Sequence, residues 1–209
     1  MLRLVVFDCD GVMFDSREAN KRYYNDLLAA FHFPPMQETE VNYVHMHNVT
    51  DSVDYIFREY SRQNMAEVHQ YRSERDYTPY LSHMILEPDL VAFLEYIQGR
   101  YKIAISTNRS TTMRPLLKTF GLSSYFEKIV TALDVKNPKP APDALLDILA
   151  FFDCAASETI YVGDSIVDRQ HTEAAGVSMI AFKNPELHAE YHVNSFTEIK
   201  QLPPFRPSS

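Results

Sequence analysis

Residues Leu4-Val5-Val6-Phe7-Asp8-Cys9-Asp10-Gly11-Val12 run from four apolar side chains directly into two carboxylates and a glycine. A short apolar run stopped by acids and a glycine predicts a buried strand opening into a loop, here over residues 2–7. Comparable runs follow at 102–107, 128–131, 159–162 and 178–182. Helical patterns separate them. Residues 89–98 place Leu90, Phe93, Leu94 and Ile97 on one face, with Pro88 before them and Gly99 after. Residues 113–120 and 165–175 repeat the pattern and end at Gly121 and Gly176, and a further helix is predicted over 143–152. Strands alternating with helices predict an α/β fold, a doubly wound parallel sheet whose ligands sit at the carboxyl ends of the strands.

Residues 16–83 break this alternation. Ala19, Tyr23, Leu27 and Phe31 form one helical stripe, Pro34-Pro35 interrupts it, and Val49, Val53, Ile56, Phe57 and Tyr60 form another. The pattern predicts an all-helical insertion, so that residues 1–15 and 84–209 make a core domain and 16–83 a second, helical one. The end of the chain, 202–209, carries three prolines and two serines and is expected to be loosely held.

Composition narrows the function classes. The 209 residues are 45% hydrophobic and 23% charged, in the globular range. Twenty basic against twenty-eight acidic residues leave a net charge of −8, which argues against a sequence-independent nucleic-acid binder. An anionic ligand then needs a local positive group. Two cysteines, Cys9 and Cys154, are too few for a disulfide framework or a four-cysteine zinc site. No apolar run reaches the length of a membrane span or a signal-peptide core, so a soluble, cytoplasmic chain is expected. The five glycines form neither G-x-G nor a glycine before Lys-Ser/Thr, which removes the dinucleotide fingerprint and the Walker-type phosphate loop. No heptad pattern or apolar stripe indicates an oligomeric state.

Several residues carry candidate chemistry. A turn at Gly11 can bring Asp8 and Asp10 towards one cavity. Isolated carboxylates beside a sheet core need a counter-ion, which a divalent cation supplies, although the pair read by itself also fits a solvated acidic loop. Asp164, in Gly163-Asp164-Ser165, follows another strand, and Asp168 stands one helical turn further on. Helix capping accounts for either acid taken singly. Together, four acids at two strand ends repel one another without a metal. Lys139, flanked by Pro138 and Pro140, sits in a stretch of restricted backbone, where its ammonium can reduce that repulsion and bind a phosphoryl oxygen. Thr107-Asn108 closes a strand with two uncharged donors. Cys9, between two acids, is a poor nucleophile. His45 and His47 flank Met46 and allow a metal pair, with substrate-facing or structural histidines as the plainer reading. His188 and His192 lack the order of a zinc-protease motif and read as surface residues. Nothing in the sequence explains Arg169-Gln170-His171.

In chain order these pieces are Asp-x-Asp-Gly-Val, Thr-Asn, Lys-Pro-x-Pro-Asp and Gly-Asp-Ser-x-x-Asp, and with them the sequence resembles the haloacid dehalogenase-like (HAD) hydrolase superfamily. Phe14-Asp15-Ser16, Phe120-Gly121-Leu122 and Ala174-Ala175-Gly176 extend the similarity, which covers about two-thirds of the chain and is greatest to the phosphoglycolate-phosphatase-like branch. The resemblance implies a Rossmann-like core with a helical cap between the first two motifs. It implies Asp8 as the nucleophile that forms an aspartyl-phosphate, and Asp10 as the general acid and then base. Mg²⁺ would be held by the Asp8 carboxylate, the Asp10 backbone carbonyl and Asp164, with Asp168 orienting that shell. The amides of Cys9, Asp10 and Asn108, the Thr107 hydroxyl and Lys139 would cradle the phosphoryl oxygens of a small phosphorylated metabolite.

The same resemblance orders the alternatives. Asp10 speaks against carbon dehalogenation, and the lack of any lysine between Arg22 and His83 speaks against phosphonate cleavage. A sugar phosphomutase shares every core motif, but residues 43–51 contain no Arg or Lys to receive a second phosphate. A non-catalytic binding protein on this fold has no need of Asp8, Asp10, Lys139 and Asp164 together.

Overall fold

The computed structural model describes residues 1–46, 49–60 and 63–206. In chain order the elements are β1 (Leu4–Phe7), β2 (Phe14–Asp15), α1 (Arg17–Ala30), α2 (Glu38–Met46), α3 (Val49–Phe57), α4 (Met65–Glu74), β3 (Ile85–Leu86), α5 (Leu90–Ile97) and β4 (Lys102–Ser106). There follow α6 (Met113–Thr119), β5 (Lys128–Val130), α7 (Asp143–Phe152), β6 (Thr159–Gly163), α8 (Ile166–Ala175), β7 (Ser178–Phe182), β8 (Tyr191–Val193) and α9 (Phe196–Ile199). The chain divides into two compact units, one of Met1–Asp15 with Leu86–Ser209 and one of Ser16–Ile85.

The first unit is a six-stranded sheet in the order β5-β4-β1-β6-β7-β8, parallel throughout. β1 lies between β4 and β6, and the strand order reverses there, which makes its carboxyl end the crevice of a doubly wound fold. A parallel strand covered on both faces reads as an unbroken apolar run, and every residue of β1 is fully buried. Alternation sends its side chains to two cores. Leu4 and Val6 pack with Ala104, Leu145, Ile148 and Tyr161. Phe7 points the other way, edge-on to Phe93 and Phe126 with ring centres 6.1 and 6.2 Å away. Helix α8 starts at Ser165, whose hydroxyl accepts from the Asp168 amide, and ends at Gly176 with φ +69°.

Two features of this unit differ from the sequence expectation. Residues 191–193 form an edge strand against β7, too short for its alternation to show in the sequence, with exposed His192 bound through Nε2 to the Leu187 carbonyl at 2.7 Å. Residues 202–206 are docked rather than loose. Phe205 is buried, and the hydroxyls of Tyr96 and Tyr101 donate to the carbonyls of Phe205 and Pro204. Prolines remove amide donors but leave carbonyls that a tyrosine hydroxyl can bind.

The second unit is helical. Tyr23 packs against the rings of Tyr24, Tyr77 and Tyr80, while Phe57 packs against Phe31 and Phe33. His45 lies exposed at the end of α2, and His47 lies outside the described residues. No described helix is long and apolar enough to cross a membrane.

Candidate active site

The carboxyl ends of β4, β1 and β6 lie side by side, so the residues that follow them meet although they are far apart in sequence. Gly11 makes the first turn with φ +76°. A side-chain carbon there would fall 1.9 Å from Asp164 Oδ2, so glycine is required both by the backbone and by the carboxylate lodged against it. Gly163 is similarly crowded, since a Cβ would meet Asp168 Cβ at 2.6 Å. Carboxylate oxygens of Asp8, Asp164 and Asp168 lie within 4.8 Å of one another.

Lys139 is the positive group among them. Its Nζ donates to Asp8 Oδ1 at 2.8 Å, Asp168 Oδ1 at 2.6 Å and the Tyr161 hydroxyl at 3.0 Å, which uses all three ammonium hydrogens. Burial opposes the charge on Lys139, but the two carboxylates outweigh it and hold the amine well above its ordinary range. Burial likewise favours a neutral Asp168, yet Lys139, Ser165 and Tyr161 together hold that carboxyl below its usual value. The remaining acids are less well compensated. Desolvation, followed by the charges of Asp8 and Asp168, pushes Asp164 up to about 8. Desolvation and Asp168 also raise Asp8.

This donor set fits a small divalent cation. Asp168 is already saturated, with Oδ1 bound to Lys139 and Tyr161 and Oδ2 accepting from the Ser165 hydroxyl and the amides of Ser165 and Asp164. Asp8 and Asp164 therefore remain as hard oxygen ligands whose repulsion a cation relieves. The Asn184 amide fixes the Asp164 backbone by donating to its carbonyl at 2.7 Å.

The Asp10 side chain turns elsewhere. Both its oxygens accept from Arg109, Oδ2 from Nε and Oδ1 from Nη2, each at 2.7 Å. The Arg109 amide donates to the Thr107 hydroxyl at 3.1 Å, leaving the hydroxyl its own hydrogen to give. Asn108 uses its side-chain amide on the Lys139 carbonyl at 3.0 Å and so ties the turn after β4 to the lysine loop. Cys9 is fully buried, and burial followed by Asp10 pushes its thiol well above the ordinary value, leaving it neutral.

Sequence reasoning missed a second network beneath the acids. His171 is fully buried, its Nδ1 lying 2.6 Å from the Ala141 carbonyl and its Nε2 2.9 Å from the Ser106 hydroxyl. A carbonyl only accepts, so the proton sits on Nδ1 and Ser106 donates to Nε2. The imidazole thereby staples the end of β4 to the loop that carries Lys139, which accounts for the histidine after Asp168. Tyr161 belongs to the same assembly, its hydroxyl lying 3.0 Å from the Ser106 carbonyl and 2.9 Å from Asp168 Oδ1. The one signal for Tyr161 was its place two residues before Gly163, on the same strand face. Arg109 had no signal beyond its adjacency to Asn108.

Known proteins share this architecture. A model of the haloacid dehalogenase-like hydrolase family matches residues 5–182. Ribulose-1,5-bisphosphate 5-phosphatase of Halopiger xanaduensis is 34% identical over 113 residues, 53% of this chain and only about half, 47%, of that enzyme. Phosphoglycolate phosphatase of Yersinia pestis is 29% identical over 186 residues, 86% of this chain and 80% of its own length. The crystal structure of a HAD-superfamily hydrolase of subfamily IA from Geobacter sulfurreducens superposes with a TM-score of 0.86 at 35% identity, covering 96% of this chain and 99% of that one. With its family match, its sheet order and the acids gathered at one strand edge, this chain belongs to the haloacid dehalogenase-like hydrolases.

Proposed function

We propose that the protein is a Mg²⁺-dependent phosphomonoesterase that hydrolyses a small, soluble phosphorylated metabolite through an aspartyl-phosphate on Asp8. The observation that carries this reading is the Lys139 ammonium, 2.8 Å from Asp8 Oδ1, within a cluster of three carboxylates. A carboxylate so placed attacks phosphorus beside a fixed positive charge that also steadies the phosphoryl oxygens. Relatives named as phosphatases support the reaction class.

In the first displacement an Asp8 oxygen bonds to phosphorus, the ester P–O bond breaks, and Asp10 gives its proton to the leaving oxygen. In the second, water attacks the same phosphorus, Asp10 takes the water proton, and the Asp8–phosphorus bond breaks to release phosphate. The Thr107 hydroxyl and the amides of Cys9, Asp10 and Asn108 hold the phosphoryl oxygens, with the Lys139 charge beside them. The Asp8 carboxylate, the Asp10 carbonyl and Asp164 would hold Mg²⁺, with Asp168 orienting them, and the ion would supply charge neutralisation at the phosphoryl group. The helical unit is read as the cap of the resemblance, and the cytoplasm as the compartment. Release of inorganic phosphate from a panel of metabolite phosphates, measured with Mg²⁺ for the wild type and Asp8→Asn, tests the proposal. Turnover abolished by Asp8→Asn is expected, and turnover that survives it overturns the nucleophile assignment.

A further inference from the structure

We propose that Arg109 is a positioning residue that holds the Asp10 carboxylate in one orientation for its proton transfers, an inference that rests on the phosphatase reading above. The two 2.7 Å bonds come from adjacent arms of one planar guanidinium and meet both oxygens of one carboxylate. Such a fork fixes both torsions of the short aspartate side chain, which a point charge does not.

Burial shows which partner is the anchor. The Arg109 side chain is 9% exposed and that of Asp10 38%, so the guanidinium belongs to the protein interior and the carboxylate to the accessible side. Further bonds hold the arginine. Nη1 donates to the Thr112 hydroxyl at 3.2 Å, the Arg109 amide binds Thr107, and the Arg109 carbonyl accepts from the Ala132 amide at 3.0 Å. Arg109 thus links the loop after β1, which carries the proton-transfer group, to the turn after β4, which carries Thr107 and Asn108. A general acid displaced by about 1 Å loses on the order of 10²-fold in rate, so the link bears on the reaction as well as on the fold.

The dependence on the leaving group separates positioning from plain structural support. A nitrophenolate leaves without a proton, whereas an alkoxide needs one from Asp10. Values of kcat/KM for an alkyl phosphate and for p-nitrophenyl phosphate are measured on wild type, Asp10→Asn, Arg109→Met and Arg109→Lys, with the fold of each checked by circular dichroism. Asp10→Asn is expected to lower the alkyl-to-aryl ratio by roughly 10²–10⁴-fold. Arg109→Met should lower it at least tenfold, and Arg109→Lys, which keeps the charge but not the fork, severalfold. The Lys variant carries the test if the Met variant does not fold. A ratio that stays at the wild-type value in both variants, that Lys restores in full, or that rises, overturns the inference while Asp10→Asn still reports the acid. Absence of turnover in the wild type, or turnover that survives Asp8→Asn, overturns the phosphatase reading itself and this inference with it.

Discussion

Lys139 Nζ lies 2.6 Å from Asp168 Oδ1, with the lysine side chain 4% exposed and the aspartate fully buried. Removing one partner of such a pair strands a charge in the interior. Lys139→Met is expected to cost about 3–5 kcal/mol in urea unfolding. Asp168→Asn added to it should recover part of the stability but no phosphate release, because the positive group beside Asp8 stays absent. A loss below about 1 kcal/mol for the single variant would mean that water, rather than Lys139, compensates Asp168.

Cation binding should displace a proton. With Asp164 pushed up to about 8, this carboxyl is mostly protonated at pH 7 in the metal-free protein, and a divalent ligand must meet it ionised. Titration calorimetry of Mg²⁺ in two buffers of different ionisation enthalpy is expected to show net proton release at pH 7, smaller at pH 9. Equal heats in both buffers at pH 7 would contradict the raised acid.

Gly11→Ala tests the close approach of loop and carboxylate. The new methyl must displace Asp164, and the positive φ adds about 1–2 kcal/mol of strain. The rise in melting temperature on adding Mg²⁺ should shrink or vanish in this variant. A full metal-induced rise would show that Asp164 is not needed where the structure puts it.

His171 should set an acid limit on stability. Burial, followed by the Lys139 charge, lowers its value from 6.5 to about 4, so the folded protein keeps it neutral. Its contribution is complete above about pH 6.5, where the unfolded chain is also neutral, and is lost as pH falls towards 4, since the unfolded chain takes up a proton first. The difference in unfolding free energy between wild type and His171→Gln should therefore fall by about 3 kcal/mol between pH 7 and pH 4. A pH-independent difference would place the imidazole in contact with water.

The strands nearest the site were legible because they are parallel and covered on both faces. Leu4 to Phe7 and Ile103 to Ile105 are continuous apolar runs, whereas β8 offers three residues with one buried side chain, Val193, and no run at all. The acids were legible for a related reason. A buried carboxylate after an apolar run is a cost that ordinary packing does not repay, so Asp8 and Asp164 stood out before any coordinates.

From its own order of residues the chain determines where strands end and which ionisable groups stand at those ends, since burial and turn chemistry act over a few neighbours. Only the folded sheet decides the partners. Arg109 meets Asp10 across 99 residues and His171 meets Ser106 across 65, because β1 sits beside β4 and α8 packs on β6, the next strand of the sheet. A hydrogen bond requires approach to about 3 Å, and no local pattern encodes a distance between segments that only the sheet order brings together.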